Sequence, residues 1–181
     1  MVRTMTAQLS EKDWLEQGLK SLASRGFSAL KAEPLAKQMG VSRGSFYWHF
    51  ADIGAFHAAI LEAWREVAAE AIIANVEAAE DDNGLAVLLR RVFSEKLALE
   101  RAVRSWAAFD AAERNAVHAI DCRRLDYVEG LIRARGVAPE AARLRAQILY
   151  WAFLGYALSD RPLPKSRQDD IIAELVGIAT R

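Results

Sequence analysis

The chain has 181 residues, of which 52% are hydrophobic, and its few glycines and prolines favour helices throughout one compact unit or two small ones. Its formal net charge of zero excludes a polycation that binds nucleic acid along its whole length. The single cysteine excludes a disulfide framework, and the absence of an apolar run long enough for a signal peptide or a membrane span predicts a cytoplasmic protein that does not enter a membrane.

The first predicted helix runs from about residue 10 to residue 24. Ser10 is a favourable N-cap, and Glu11 and Asp13 place negative charge in the first turn, where the helix dipole favours it. Gly26 ends the helix. The apolar positions follow helical spacing at Trp14, Leu15, Leu19 and Leu22. We expect this helix to be a platform for the motif that follows.

Residues 34–50 contain two short predicted helices joined by a tight turn. Gly40 follows the first helix, where a left-handed backbone costs least in glycine. Ser42 can cap the second helix by accepting hydrogen bonds from its free N–H groups. The apolar side consists of Leu35, Met39, Val41, Phe46 and Phe50. This is the pattern of a helix-turn-helix, whose second helix enters the major groove of DNA.

The outward face of the second helix carries groups suited to DNA. Arg43 can donate two parallel bonds to guanine or bond a phosphate, and Gly44 allows a close approach to the duplex. Tyr47 and His49 are expected to bond phosphates. The predicted DNA-binding residues are Lys31, Lys37, Ser42, Arg43, Gly44, Ser45, Tyr47, Trp48 and His49. The alternative is a helical hairpin with an aromatic packing face, which explains three exposed-type aromatic side chains less well.

The segment Val41-Ser42-Arg43-Gly44-Ser45-Phe46-Tyr47-Trp48-His49-Phe50, with Arg25-Gly26-Phe27 and Leu35-Ala36-Lys37 upstream, resembles the recognition-helix signature of TetR-type transcriptional regulators. The resemblance covers about residues 10 to 60 and implies an all-α homodimeric repressor with a ligand-binding C-terminal domain. Two positions depart from the family pattern. Ile53 stands where members usually carry a phosphate-contacting lysine, and Lys31 stands where they usually have a capping serine or threonine.

The remainder of the chain predicts only helices. Asp52 caps a long helix that runs to about residue 76, and further helices follow at about 85–99, 103–112, 114–135, 139–158 and 169–180. A boundary inside or beside the long helix gives a DNA-binding domain over residues 8–60 and a regulatory and dimerisation domain over residues 61–181. We expect no flexible linker between them, and a rigid connection can transmit a tilt.

The C-terminal part offers candidates for a ligand pocket. Binding sites are mostly apolar with a few polar groups, and the predicted set is Trp106, Phe109, His118, Cys122, Tyr127 and Tyr150. Such a site suits a mainly apolar or aromatic effector that is neutral or singly charged. The alternative is a well-packed core whose tyrosine hydroxyls reach solvent. For Cys122 the other interpretations are a small buried residue or, beside Arg123, a thiol that senses oxidants.

The last two predicted helices are unusually apolar, and a helix that is apolar all round must be covered on several sides. We therefore expect them to form a four-helix interface between two copies, with Gly155 allowing close contact. The predicted interface residues are Leu149, Phe153, Leu154, Ala157, Ile171, Ile172, Leu175 and Ile178. The alternative is that both helices close the core of a single chain.

We expect no enzyme, no metal site and no cofactor. His49, His57 and His118 form no metal-binding signature, and no glycine-rich loop follows a strand pattern. The sequence therefore predicts a homodimeric repressor that binds a near-palindromic operator in double-stranded DNA and is released by a small effector. The alternative is a helical interaction or ligand-binding protein with weak or no specific DNA binding, which Ile53 and the slight charge asymmetry of the chain motivate.

Overall fold

The structure, a computed structural model, describes residues 9–79, 83–94, 97–160 and 164–181, and this part of the chain is helical without a strand. The predicted all-α fold is confirmed. Residue 8, the predicted start of the first domain, lies outside the described residues. No helix in the described ranges is long and apolar enough to cross a membrane.

The N-terminal head comprises α1 (Glu11–Arg25), a 3₁₀ turn (Phe27–Ala29), α2 (Ala32–Met39) and α3 (Arg43–Tyr47). A capping box starts α1, because the Ser10 hydroxyl accepts from the Asp13 N–H at 3.3 Å and the Asp13 carboxylate accepts from the Ser10 N–H at 2.7 Å. The predicted start and end of this helix are therefore correct to within a residue.

A single long helix follows the head, and it changes its bonding pattern part-way. It begins as α4 (Ile53–Arg65), continues as a π-helical segment (Glu66–Glu70) and ends as α5 (Ala71–Glu77). As predicted, the Asp52 side chain caps it, accepting from the Ala55 N–H at 2.8 Å. In the π segment the Ala71 N–H donates to the Glu66 carbonyl, five residues back. The sequence did not predict this wider turn.

In the described ranges, five further helices form the C-terminal body: α6 (Gly84–Ser94), α7 (Ala98–Ala107), α8 (Ala111–Arg133), α9 (Pro139–Leu158) and α10 (Lys165–Thr180). The predicted helix over 85–99 is wrong at its end, because Leu97 lies in a turn and serves as the N-cap of α7. The predicted helix over 103–112 correspondingly begins earlier, at Ala98.

An apolar core continues across residue 60, where the predicted domain boundary lies. Trp14 and Phe46 of the head belong to the same buried cluster as Trp64 and Trp106. The Phe27 ring stacks on Trp106 with 4.8 Å between ring centroids, and the His57 ring lies 5.4 Å from that of Trp106. The head therefore packs directly on α7, and the division into two domains at residue 60 stays a prediction.

A second core lies between α5 and the other body helices. It includes Ile72 of α5, Leu89 of α6, Ile132 of α8 and Leu149 of α9, all buried, and Ile172 of α10 closes it. The end of the long helix is therefore held in the body, while its start follows the head directly.

Gly18 marks the closest approach of α1 to α4. A Cβ atom at this position would lie 2.8 Å from Cζ of Phe56 and closer still to Cδ1 of Ile60. Both of these side chains are fully buried. We expect Gly18→Ala to lower the free energy of unfolding by about 1–3 kcal/mol through overpacking. Urea denaturation measures this change.

The matched control is Gly130→Ala in α8, where nothing lies within 4 Å of an added Cβ. Alanine is favoured over glycine in a helix by about 1 kcal/mol, so this variant should be slightly more stable than the wild type. Equal effects of the two substitutions would contradict the close packing of α1 on α4.

Candidate functional site

The helix-turn-helix forms as predicted. Gly40 adopts the left-handed conformation, with φ of 69°, and the Val41 N–H donates to the Ala36 carbonyl at 3.0 Å across the turn. Ser42 occupies the N-cap position of α3, but among the described residues its hydroxyl accepts no capping bond. That expectation is wrong. The Ser42 backbone carbonyl accepts from the Ser45 N–H at 3.0 Å instead, which leaves the hydroxyl on the surface.

The predicted DNA-binding side chains share one property, which is accessibility. Exposed residues are Lys31, Lys37, Ser42, Arg43, Gly44, Tyr47 and Trp48, while Ser45 and His49 are half-buried. Trp48 is 83% exposed, so it has no packing role in the chain. Phe46 and Phe50 point the other way and are buried, as predicted for the apolar side. We refer to the exposed side of residues 42–49 as the reading face.

Arg43 and Tyr47 form a pair on the reading face. The Arg43 guanidinium donates to the Tyr47 hydroxyl at 3.0 Å and lies 5.5 Å from the centre of the phenol ring. This contact holds an otherwise mobile cation at the start of α3, where it can meet a base edge or a phosphate. Ile53, at the start of α4, is 38% exposed, so an apolar side chain is accessible at the position where the resemblance leads one to expect a lysine.

A cavity of about 380 Å³ opens in the body, within the usual size of ligand pockets. Its wall comes from the long helix and from α6, α7, α8 and α9. It includes Trp64, Val67, Ala68, Ala69, Ala71, Ile72, Ile73, Leu88, Leu89, Arg91, Val92, Leu97, Leu99, Glu100, Arg124, Tyr127, Val128, Leu149, Tyr150 and Phe153. Of the predicted ligand-binding residues, Tyr127 and Tyr150 lie in this wall.

The other four predicted ligand-binding residues do not line this cavity. Trp106 is buried against the head beneath Phe27, and Phe109 is 90% exposed beyond the end of α7. His118 and Cys122 are exposed on α8, with Cys122 Sγ 3.6 Å from His118 Nε2. A helix turns by about 100° per residue, so the face of α8 that packs inward excludes these two. The interpretation of Cys122 as a small buried residue is wrong, because the residue is exposed.

A buried network of charges at the cavity wall was not predicted. Arg124 donates to both oxygens of Glu100, at 3.0 and 2.9 Å. Arg104 donates to Glu100 at 2.7 Å and to the Asp121 oxygens at 3.1 and 2.6 Å. The Tyr150 hydroxyl donates to Asp121 at 2.5 Å. The two positive charges of the arginines therefore balance the two negative charges of the carboxylates.

Burial and pairing have opposite effects on the pKa values of the arginines in this network. Burial alone would lower the pKa of Arg124, but its bonds to Glu100 and the charge of that carboxylate raise the pKa above its ordinary value. For Arg104 burial again opposes the charge, and the bond to Asp121 with the charge of Glu100 raises the pKa. Burial raises the pKa of Tyr150, so its phenol stays protonated and acts as a donor.

Arg124 also links the cavity to the long helix. Its guanidinium donates to the Ala68 carbonyl in the π segment at 3.3 and 3.1 Å. The same group lies 5.6 Å from the ring centre of Trp64 and 5.5 Å from that of Phe153. A π turn leaves backbone groups without their usual partners, and here a side chain from α8 supplies one.

The sequence carried a signal for this network. Glu100 falls on the apolar stripe of α7, three residues before Val103 and seven before Ala107, both buried. Arg124 likewise falls on the inward stripe of α8 between Ile120 and Val128. A charged residue at a core position indicates a buried partner of opposite charge.

The predicted dimer residues divide into two groups. Leu149, Phe153, Ala157 and Ile172 are buried in the core of the chain itself, so they present no side chain to a partner. Leu154, Ile171 and Leu175 are half-buried, and Ile178 is exposed. An exposed apolar stripe runs along α9 through Leu144, Ile148, Trp151, Gly155 and Leu158. We call these five residues the α9 stripe.

Comparison with known proteins agrees with the helix-turn-helix. Residues 15–60 match the family model described as bacterial regulatory proteins, tetR family. Residues 15–60 therefore carry the DNA-binding domain that this family model describes. No protein of curated function matches the sequence significantly. A DNA-binding transcriptional regulator is what the match supports.

Solved structures share the fold over nearly the whole chain. The reduced form of NemR from E. coli has a TM-score of 0.75 and 18% identity, covering 93% of this chain and 96% of that chain. A regulator-like protein from Saccharomonospora viridis in complex with choline has a TM-score of 0.72 and 15% identity, covering 92% and 95%. The multidrug binding protein EbrR complexed with imidazole has a TM-score of 0.60 and 20% identity, covering 91% and 93%.

Proposed function

We propose that this chain is a cytoplasmic, non-enzymatic, homodimeric repressor that binds a near-palindromic operator and leaves it when a small, mainly apolar effector fills the cavity. The observation that carries the proposal is the reading face. Phe46 and Phe50 anchor the recognition helix in the core, and Arg43, Tyr47 and Trp48 project into solvent. Donors and flat rings on a rigid, exposed helix are the groups that read DNA.

The long helix supports regulation by a ligand. It starts four residues after His49 and then passes along the cavity, which it lines with Trp64, Val67 and Ala68. A ligand that prefers one position of this helix shifts the head with it, because no flexible segment intervenes. Choline and imidazole in the two related structures are small molecules of the size that this cavity accepts.

The α9 stripe supports the dimer. Trp151 is 63% exposed, and the stripe extends its apolar surface over several turns of α9. A Cβ added at Gly155 would meet nothing within 4 Å in the chain, so this position is open to a partner helix. Two copies packed through this stripe would present two reading faces, as a near-palindromic operator requires.

Binding to the DNA immediately upstream of the chain's own coding region tests the proposal. We expect binding to a duplex that contains an inverted repeat there, with an affinity that falls as salt rises. A random duplex of equal length should bind much more weakly. Equally weak binding to both duplexes would favour the alternative of a helical interaction or ligand-binding protein.

Tyr47→Phe removes the phenol hydroxyl from the reading face and with it the acceptor that holds Arg43. We expect binding to both the operator and the random duplex to weaken by about tenfold, because a hydrogen bond to a charged group is lost.

Ile53→Lys should have the opposite effect, adding about one phosphate contact and steepening the salt dependence of binding accordingly. Unchanged affinities in salt titrations of both variants would rule out these roles.

A further inference from the structure

We propose that the cavity selects neutral, mainly apolar molecules that carry a hydrogen-bond acceptor such as a carbonyl oxygen, and that the Tyr127 hydroxyl recognises this acceptor. The inference rests on the proposed effector function and adds the chemical class of the ligand. Three features of the cavity wall support it. The wall contains one hydroxyl without a hydrogen-bond partner among the described residues, a network of charges that are already paired, and otherwise mainly apolar side chains.

The unpaired donor is Tyr127. Its side chain lines the cavity from α8, and its hydroxyl is buried without a hydrogen-bond partner among the residues that the structure describes. Buried hydroxyls in native proteins are nearly always paired, so a partner from the ligand is the natural complement. Burial, together with the charge of Glu77, raises the pKa of Tyr127. The phenol therefore keeps its proton and donates to an acceptor.

The charge network argues for a neutral ligand. Each carboxylate in it is already bonded, Glu100 by Arg104 and Arg124 and Asp121 by Arg104 and Tyr150. A charged ligand would have to break these bonds or remain buried without a counter-ion, and both cost free energy. Arg91, the other charged residue of the wall, is exposed, so solvent weakens its attraction for an anion.

The remainder of the wall is apolar. Aliphatic side chains from the long helix and from α6, α7, α8 and α9 surround the space, and the Trp64 and Phe153 rings adjoin it. Tyr127 and Val128 sit one turn beyond Arg124 on the same face of α8, so the donor and the charge network occupy neighbouring positions on that helix. A ligand with two rings or a short branched chain and one oxygen would satisfy Tyr127 and leave the network intact.

Benzophenone and diphenylmethane provide a matched pair of probes, because both have two phenyl rings and only benzophenone has a carbonyl oxygen. Calorimetric titration of the full chain should show benzophenone binding about tenfold more tightly than diphenylmethane, the effect of one hydrogen bond. Diphenylacetate and aminodiphenylmethane, the charged analogues, should bind at least about tenfold more weakly than benzophenone. Equal affinities for the first pair, tighter binding of a charged analogue, or no binding of benzophenone would overturn the proposal.

Tyr127→Phe should remove the preference for benzophenone and leave the affinity for diphenylmethane within about twofold, since it deletes only the hydroxyl. Tyr156→Phe is the control, because the Tyr156 hydroxyl donates to the Phe93 carbonyl at 2.9 Å and lies outside the cavity wall. This control should keep the preference. A preference that survives in Tyr127→Phe would assign the acceptor to another group and overturn the proposal.

The titration contains no DNA, so it separates the ligand class from the proposed function. A chain that prefers benzophenone through Tyr127 but does not bind the upstream duplex would contradict the repressor function alone. A chain that binds this duplex and shows no preference for benzophenone would contradict the ligand class alone.

Discussion

Replacing Glu100 with alanine is expected to lower the free energy of unfolding by about 3–5 kcal/mol, because a buried charge is left without its partner. Glu100 is 4% exposed and accepts bonds from both Arg104 and Arg124. Without it, the hydrogen-bond partners of Arg124 among the described residues are the Ala68 carbonyl and, at 3.4 Å, the Tyr150 hydroxyl, neither of which carries a full negative charge. Urea denaturation followed by circular dichroism measures the loss.

Two controls separate buried pairing from a general effect of losing a carboxylate. Glu62→Ala removes an exposed partner of Arg65 and should change stability little, because solvent screens exposed pairs. The double variant Glu100→Leu with Arg124→Met removes both buried charges and leaves Arg104 paired with Asp121. It should be more stable than Glu100→Ala. A Glu100→Ala variant no less stable than Glu62→Ala would contradict the network.

Gly155→Arg is expected to abolish the dimer, since it places a charge and a long side chain within the α9 stripe. Sedimentation should then give a mass near the 20.1 kDa of one chain instead of twice that value. Operator binding should fall by about a hundredfold or more, because the two heads no longer bind as a linked pair.

Gly130→Arg provides the matched control for the dimer prediction. Gly130 is likewise exposed and helical, and an added Cβ would meet nothing within 4 Å, but it lies on α8 outside the stripe. This variant should sediment as a dimer and bind the operator normally. A wild-type chain of monomer mass at micromolar concentration would rule out both the interface and recognition of two half-sites.

The head could be predicted from the sequence because its signals are local. Ser10 and Asp13 cap α1 with each other, and Gly40 adopts the backbone conformation that its position in the turn requires. Ser42 shows the limit of such reasoning. Its residue type favours the N-cap position and identified where α3 begins, but its hydroxyl accepts no bond from the first N–H groups of that helix.

The cavity could not be predicted to the same degree, because its residues come together from five separate stretches of helix. An aromatic residue in the right part of the chain can face the cavity, as Tyr150 does, the head, as Trp106 does, or solvent, as Phe109 does. Composition does not distinguish these three outcomes, since the rotation of each helix is set by its packing. Glu100 and Arg124, charged residues on apolar stripes, were the more informative signal.

The π segment between Glu66 and Glu70 affects the orientation of α3. A π turn holds one residue more than an α turn. The α-helices before and after the segment are therefore aligned with each other as they would be in an uninterrupted α-helix that is one residue shorter. An α-helix rotates by about 100° and rises by about 1.5 Å for each residue. If the segment adopted α-helical bonding with all its residues present, α4 would turn about the helix axis relative to α5 by roughly that angle, and the packing of the head on α7 would be broken. The orientation of Arg43 and Trp48 towards DNA therefore depends on a backbone bonding pattern some twenty residues away, which Arg124 holds through the Ala68 carbonyl.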